Sequence, residues 1–236
     1  MTTSAALIEQ IRGRLIVSCQ APPLSPMHDP YVIARLALTA ERCGAAGVRI
    51  DTPMHIDAAR ALCRVPIIGL HKQAHPGSAV YITPTASAAT GVIGAGAAVV
   101  AVDATARLRP NGERLEDLVA LIHAHGRLVM ADVATDVEGL AAAALGADLI
   151  ATTLSGYTGA TARQLGPDFA LIEQLVSATG VPVVCEGRVR TPSDVRQAFI
   201  AGAHAVVVGA ALTAVDQLVR QFAAATPAGP AAVDDA

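Results

Sequence analysis

The sequence predicts a single (β/α)8 barrel, a TIM barrel, with an additional helix at its amino terminus. Short aliphatic segments recur along the 236 residues, and each is followed by polar or glycine-containing residues and then by a stretch with helical periodicity. Parallel strands buried on both faces are continuous aliphatic runs of this kind. Eight alternations of strand and helix in a chain of about this length are typical of the barrel.

The elements follow one another in order along the chain. The N-terminal helix is predicted from Leu7, Ile8, Ile11 and Leu15, which recur at helical spacing. Eight aliphatic runs predict strands at residues 15–18, 47–50, 66–69, 98–102, 128–131, 149–152, 181–184 and 205–208. Helices are predicted between and after them, with candidates at residues 29–43, 115–125, 138–145, 169–177, 193–201 and 212–225.

An open, doubly wound sheet is the main alternative fold. Such a sheet often carries a Gly-x-Gly-x-x-Gly turn after its first strand, where it binds a dinucleotide. The corresponding turn here is SCQAPP, residues 18–23, which contains no glycine. No linker interrupts the series of elements. We therefore expect one barrel domain over residues 1–225, followed by a disordered tail over residues 226–236.

Composition and charge exclude several classes of function. The net charge of −3 provides no basic field for nucleic acid or an anionic membrane, and 3% aromatic residues leave little surface for stacking on bases. The first 14 residues show helical spacing rather than the pattern of a secretion signal, and apolar runs are too short to predict a transmembrane helix. The cysteines, at positions 19, 43, 63 and 185, form no C-x-x-C pair and no metal-binding spacing. We expect a cytoplasmic protein with no bound metal, nucleic acid or membrane partner.

Two ionisable residues, Lys72 and Glu186, are the candidate catalytic pair. Lys72 closes the apolar run that begins at Val65, and Glu186 directly follows the seventh predicted strand. The active site of a barrel forms at the carboxyl ends of its strands, so both side chains are expected to face one cleft. Burial there lowers the pKa of an amine and raises that of a carboxyl group, which suits both for proton transfer beside a carbonyl or for opening a sugar ring. A salt bridge between them, without catalysis, is the structural alternative.

Glycine follows each of the last two predicted strands, at Gly187 and Gly209. In barrels of this type the loops after the seventh and eighth strands commonly bind phosphate through backbone N–H groups. These positions therefore predict a phosphate site, while plain turn geometry is the alternative use of the two glycines.

Several motifs together resemble the N-acetylmannosamine-6-phosphate 2-epimerase family. The resemblance extends from Leu15 to about Thr213 and is most specific in DATARLRP, residues 103–110, and TTLSGYT, residues 152–158. The other matching segments are LIVSCQ at 15–20, GVRI at 47–50, VPIIG at 65–69 with Lys72, YITP at 81–84, MAD at 130–132, EGR at 186–188 and VG at 208–209.

The resemblance implies a barrel enzyme that interconverts N-acetylmannosamine 6-phosphate and N-acetylglucosamine 6-phosphate in sialic acid catabolism, without metal or organic cofactor. It implies that Lys72 and Glu186 handle protons at carbon 2 and at the sugar ring. The residues implied in substrate binding are Gln20, Arg49 and Asp132, and those implied in phosphate binding are Gly187, Arg188, Gly209 and Ala210. A small amino sugar phosphate is the expected partner, and a homodimer is the expected assembly.

The sequence departs from the family near its last strand. Family members tend to have Gly-Ser-Ala-Ile-Thr-Arg there, whereas this chain has Gly-Ala-Ala-Leu-Thr-Ala from Gly209 to Ala214, without the hydroxyl and the guanidinium. Two other functions compete with the epimerase. One is an aldolase in which Lys72 forms a Schiff base with a keto acid, and the other is a barrel that binds a sugar phosphate without catalysis.

Overall fold

The eight predicted strands close into one parallel barrel in the computed structural model, which describes residues 4–229. Each strand pairs with the next one along the chain, and the last pairs with the first. The strands are β1 Arg14–Cys19, β2 Gly47–Asp51, β3 Ile67–Leu70, β4 Val99–Asp103, β5 Leu128–Asp132, β6 Leu149–Ala151, β7 Val183–Cys185 and β8 Ala205–Val208. The predicted fold class is thereby confirmed. Most of the predicted tail, residues 230–236, lies outside the described residues.

Helices alternate with the strands along the described residues. They are α1 Ser4–Ile11, α2 Pro30–Arg42, α3 Pro53–Arg60, α4 Ala86–Gly94, α5 Leu115–Ala124, α6 Asp136–Ala144, α7 Phe169–Ala178, α8 Pro192–Ile200, α9 Ala210–Thr213 and α10 Val215–Ala224. Several begin at an N-cap residue whose side chain accepts hydrogen bonds from backbone N–H groups of the first turn. The Asp29 carboxylate accepts hydrogen bonds from the first backbone N–H groups of α2, and Thr191 with Asp194 forms a capping box at α8.

The N-terminal helix closes the amino end of the barrel. Ile11 is buried, and Leu7 and Ile8 pack against the apolar cluster that fills the barrel interior. Two hydrogen bonds fix the helix to the loop before β8: a ring nitrogen of His204 lies 2.8 Å from the carbonyl oxygen of Ile8, and Gly13 N–H donates to the His204 carbonyl at 2.7 Å. This plug confirms the predicted N-terminal helix.

Alternation along the strands decides which side chains reach the active end. On β5, Leu128 and Met130 belong to the interior cluster, whereas Val129 belongs to the cluster beneath the helices. Successive side chains of a strand point to opposite faces, so Asp132 also points inward at the strand's carboxyl end. On β7 the same alternation makes Val184 an interior residue and carries Glu186 inward two residues later.

One predicted helix is wrong in its extent. The sequence predicts a continuous helix over residues 212–225, but the structure has the short helix α9 and then α10, separated at Ala214 with φ −85° and ψ 68°. The Thr213 hydroxyl donates to the Ser18 carbonyl at 2.7 Å and to the Gly209 carbonyl at 3.1 Å. These bonds hold the end of α9 against β1, so α10 begins as a separate helix.

Two helices, α3 and α4, were not among the predicted candidates. The sequence of α4 is ASAATGVIG, in which two glycines, a threonine and a serine lower the helix propensity and small side chains weaken the apolar periodicity. Its start is nevertheless fixed, because the Thr85 hydroxyl accepts the Ala88 N–H at 3.1 Å. Tertiary packing of Ala89, Val92 and Ile93 in the cluster beneath the helices supplies the rest of its stability.

Candidate active site

A cleft of about 930 Å3 opens at the carboxyl ends of the strands. Sites for small molecules in proteins have volumes of about 300–1,000 Å3, so a sugar phosphate fits. Eight of the nine residues that the sequence analysis assigned to the site line this cleft, namely Gln20, Arg49, Lys72, Glu186, Gly187, Arg188, Gly209 and Ala210. The ninth, Asp132, has no exposed surface and lies beside Arg49.

A buried guanidinium between two carboxylates forms the floor of the cleft. Arg49, which is 1% exposed, donates to both oxygens of Asp132 at 3.1 and 2.6 Å. Its Nη1 atom also lies 3.0 Å from Oε2 of Glu186. Burial opposes the charge on Arg49, but Asp132 and Glu186 outweigh burial and raise its pKa. The guanidinium therefore remains charged and holds both carboxyl groups in place.

The carboxyl group of Glu186 is poised to take up or release a proton. Burial raises the pKa of Glu186 to about 7, with Arg49 opposing the rise and Asp132 adding to it. The backbone is fixed by Thr152, whose hydroxyl donates to the Glu186 carbonyl at 3.0 Å and accepts from its N–H at 3.1 Å. Near neutral pH both protonation states of this carboxyl group are populated.

The amine of Lys72 also lies in the cleft, but it has a different partner. Its Nζ donates to Oε1 of Gln20 at 2.6 Å, and the Gln20 amide in turn donates to the Ser18 hydroxyl at 2.8 Å. Burial among the cleft walls lowers the pKa of Lys72; Asp51 opposes this shift and Arg49 adds to it. The residue as a whole is exposed through the mouth of the cleft, so solvent moderates the shift, but its direction favours the neutral amine.

Within the described residues, Lys72 and Glu186 do not form the salt bridge that was the structural alternative. The ion pair of Glu186 is with Arg49, and the amine of Lys72 bonds to Gln20. The two groups thus line one cleft with separate partners. That arrangement leaves room for a substrate to contact both.

A hairpin that follows β3 positions Lys72. The Lys72 N–H donates to the Asp51 carboxylate at 2.9 Å, and Lys72 pairs with Ile82 in an antiparallel bridge. The Gln73 N–H donates to the Tyr81 carbonyl at 2.9 Å, which closes the hairpin. Tyr81 lines the cleft as a result. No role for Tyr81 was predicted, because periodicity in the sequence gives no signal for a residue on the return arm of a hairpin.

The loops after β7 and β8 form the other end of the cleft. Gly187 has φ +108°, which a residue with a Cβ atom rarely adopts. Gly209 lies so close to β1 that a Cβ atom there would be 3.2 Å from the Cβ of Ser18. Among the described residues, the N–H groups of Gly187 and Ala210 find no hydrogen-bond acceptor within the protein. Backbone donors are therefore available at both loops.

The guanidinium of Arg188 is largely used within the protein. It donates to the Gly166 carbonyl at 3.1 Å and to the Ser155 carbonyl, and it lies 4.7 Å from the centre of the Tyr157 ring. Arg188 thereby ties the loop after β7 to the segment after β6. The sequence did not indicate this use of the side chain, because none of its partners is near it in the chain.

Other groups of the described chain offer little further chemistry. Cys19 is fully buried, and burial raises the pKa of its thiol to about 12, so the reactive thiolate is rare near neutral pH. Across residues 4–229 no group of three His, Cys, Asp or Glu side chains is arranged to hold a metal ion. None of the helices in that range has the length and apolar character needed to cross a membrane.

Comparison with known proteins decides the family. The family model described as "Putative N-acetylmannosamine-6-phosphate epimerase" matches residues 33–228. This chain belongs to that epimerase family. A relative from Clostridium perfringens named as a putative N-acetylmannosamine-6-phosphate 2-epimerase is 41% identical over 216 residues, which are 92% of this chain and 98% of the relative. A relative of the same name from Thermosynechococcus vestitus is 48% identical over 223 residues, which are 94% of this chain and 97% of the relative. The resemblance drawn from the motifs is confirmed.

Solved structures agree with membership of the epimerase family. The structure described as the N-acetylmannosamine-6-phosphate 2-epimerase from Clostridium perfringens matches with a TM-score of 0.89 at 41% identity, covering 92% of this chain and 94% of that one. A deoxyribose phosphate aldolase from Aeropyrum pernix matches with a TM-score of 0.64 at 18% identity. The second likeness extends to the fold alone.

Proposed function

We propose that this chain interconverts N-acetylmannosamine 6-phosphate and N-acetylglucosamine 6-phosphate by proton transfer at carbon 2, the activity of an N-acylglucosamine-6-phosphate 2-epimerase. The relatives at 41% and 48% identity carry the name of this reaction. The observation that carries the proposal is that Lys72 and Glu186 line one cleft, have separate partners, and have pKa values shifted toward neutrality.

The reaction moves one proton off carbon 2 and returns one to the opposite face. In the open-chain sugar, carbon 2 is adjacent to the aldehyde, so the electrons of the broken C–H bond move onto the aldehyde oxygen and form an enolate that keeps the acetamido group on carbon 2. Protonation of carbon 2 from the other face then gives the epimer. Sugar and enzyme together neither gain nor lose protons, so a base and an acid in one cleft suffice.

Lys72 is proposed to exchange the proton on carbon 2. An amine accepts a proton only through its lone pair, and the lowered pKa of Lys72 increases the neutral fraction near pH 7. The hydrogen bond to Gln20 fixes the direction of the side chain. Gln20 is thus proposed to position both the amine and the sugar.

Glu186 is proposed to assist ring opening or to transfer the proton on the opposite face. Ring opening needs an acid that donates to the ring oxygen, and a carboxyl group with a pKa of about 7 is partly protonated at neutral pH. Arg49 keeps this carboxyl group at the cleft floor. Asp132 lies beneath the floor, so we propose that it acts through Arg49 and Glu186 and that sugar hydroxyl and acetamido groups meet Arg49 and Gln20.

The phosphate is proposed to bind at the loops after β7 and β8. Gly187, Gly209 and Ala210 line that end of the cleft with backbone donors available, and such amides are common phosphate ligands. Arg188 adds positive charge there, although much of its hydrogen bonding is directed to carbonyl groups of the protein.

Conversion of each sugar phosphate, followed by NMR, tests the proposal. Purified protein should produce the same mixture of epimers from either starting compound. Failure to convert either compound, with binding retained, would support the non-catalytic binding barrel. Substrate-dependent trapping of Lys72 by borohydride would support the Schiff-base aldolase instead.

The protein is proposed to be a cytoplasmic homodimer. The cysteines are all free in the structure, in keeping with a reducing cytoplasm. A homodimer remains our prediction, and Val219 and Phe222 of α10 expose apolar surface that such an assembly would cover. Light scattering at several concentrations measures the mass directly.

A further inference from the structure

We propose that Arg190 supplies the positive charge that selects the phosphate group of the substrate. The inference rests on the proposed function, since it identifies which side chain of the same cleft recognises the phosphorylated end. Arg190 lines the cleft together with Gly187 and Arg188, on the loop between β7 and α8. It was not among the phosphate-binding residues assigned from the sequence.

The loop after β8 provides backbone donors but no charge. Gly209, Ala210, Ala211 and Ala214 line this part of the cleft, and α10 adds only the neutral residues Gln217, Leu218, Gln221 and Phe222. A phosphate monoester carries a charge of about −1.5 to −2 at neutral pH. Neutral amides alone do not balance this charge, so we expect cations elsewhere in the cleft to add to the charge of Arg188.

Four Lys and Arg residues line the cleft, and three of them have other tasks. Arg49 is paired with Asp132 and Glu186 on the floor. Lys72 bonds to Gln20 and must lose its charge to act as a base. Arg188 donates to two carbonyl groups and stacks on Tyr157. The remaining residue is Arg190.

Within the described part of the chain the guanidinium of Arg190 forms no hydrogen bond and no close ion pair, and its charge acts only at longer range on the Asp194 carboxylate, whose pKa it helps to lower. The residue is exposed, and the nearby carboxylate of Asp194 is held by backbone groups: its Oδ2 atom accepts the N–H of Arg190 at 2.9 Å and that of Thr191 at 2.8 Å. These contacts belong to the capping box of α8. They fix the Arg190 backbone beside the cleft while the guanidinium keeps its donors for a ligand.

The anchoring of the loop gives Arg190 a defined position. Val189, directly before it, is buried in the core at 5% exposure, and Thr191, directly after it, caps α8. Arginine binds phosphate oxygens through two parallel N–H donors. Arg190 thus offers, on the loop after β7, a cation with unbonded N–H donors in the same cleft as the uncharged loop after β8.

Arg190→Gln tests the proposal, with Arg196→Gln as the matched control. Arg196 is exposed on α8 and does not line the cleft, so both changes remove one positive charge from the same segment. We expect Arg190→Gln to raise KM for N-acetylmannosamine 6-phosphate by about 10-fold to 100-fold, the loss of a charged hydrogen-bonding pair. The value of kcat should change less than about threefold, because the group acts on binding rather than on the proton transfer.

Two further measurements separate charge recognition from a structural effect. At high protein concentration, activity on unphosphorylated N-acetylmannosamine should be equal in Arg190→Gln and the control. Adding Ala214→Arg to Arg190→Gln returns a guanidinium to the cleft and should lower KM again. A KM for Arg190→Gln equal to that of Arg196→Gln would overturn the proposal.

Binding of inorganic phosphate, followed by 31P NMR, distinguishes this inference from the proposed function. Weaker phosphate binding in Arg190→Gln than in the control supports the phosphate site, even if the wild-type protein converts neither hexosamine phosphate and the proposed function fails. Equal phosphate binding in the two variants rejects Arg190 as the phosphate cation, whatever the protein catalyses.

Discussion

Replacing Glu186 with Gln tests the electrostatics of the cleft floor through the pH dependence of stability. Folding raises the pKa of this carboxyl group from 4.5 to about 7, mainly through burial. The folded state therefore binds the proton more tightly than the unfolded chain does. The resulting stabilisation is fully present below pH 4.5 and is lost as the pH rises through about 7.

The size of the effect follows from the shift in pKa. Each pKa unit corresponds to about 1.4 kcal/mol, so ionisation of Glu186 removes roughly 3 kcal/mol of folding free energy over this range. Gln cannot ionise. Between pH 4.5 and a pH above 7, the free energy of unfolding of the wild-type protein should fall by roughly 3 kcal/mol more than that of Glu186→Gln.

Urea denaturation at several pH values, followed by circular dichroism, measures this difference. Glu173→Gln is the matched control, because Glu173 is an exposed carboxyl group on α7. Its curve should run parallel to that of the wild-type protein. Parallel curves for Glu186→Gln and the wild-type protein would contradict this prediction, since they would mean that Glu186 binds its proton equally well in the folded and unfolded chains.

Two more substitutions follow from the same network. Lys72→Ala should reduce deuterium exchange at carbon 2 by about 10²-fold to 10⁴-fold, the usual contribution of a general base, while calorimetry still detects substrate binding; normal turnover would contradict the assignment. Arg49→Met leaves the buried Asp132 carboxylate without its cation and should lower the free energy of unfolding by about 3–5 kcal/mol. The control, Arg12→Met, breaks an exposed pair with Glu9 and should lower the free energy of unfolding by at most about 1 kcal/mol. If both arginine variants lowered it equally, the Arg49 pair would not be buried in the folded protein.

The fold was predictable because strands and helices alternate regularly and each strand is an uninterrupted run of aliphatic residues. Aliphatic runs located all eight strands to within one or two residues at each end, as at 205–208 for β8. Where the signal is weak the prediction was incomplete. In α4 the small side chains weaken the apolar periodicity that would have predicted a helix. At Ala214 the sequence predicts a continuous helix, but a hydrogen bond from Thr213 to Ser18 of β1, 195 residues away, accompanies its division into α9 and α10.

The candidate site was predictable in its members but not in their partners. Strand ends placed Lys72 and Glu186 on one cleft, since the barrel topology brings all carboxyl ends together. The sequence does not show, however, which side chains that are far apart in the chain lie within hydrogen-bond distance. It could not show that Arg49 pairs with Asp132, 83 positions away, that Lys72 bonds to Gln20, or that Arg188 is tied to Ser155. It also gave no reason to single out Arg190, whose role depends on which other cations of the cleft are occupied.

Solvent exchange at carbon 2 is the sharpest test of proton transfer by Lys72. N-acetylmannosamine 6-phosphate is incubated with the protein in heavy water, and the carbon 2 proton is followed by NMR for the wild-type protein and for Lys72→Ala. We expect deuterium to enter carbon 2 of both epimers with the wild-type protein, and Lys72→Ala to bind the sugar with exchange reduced by at least about 10²-fold. Epimer formation without deuterium at carbon 2, or exchange that persists at the wild-type rate in Lys72→Ala, would contradict proton transfer by Lys72.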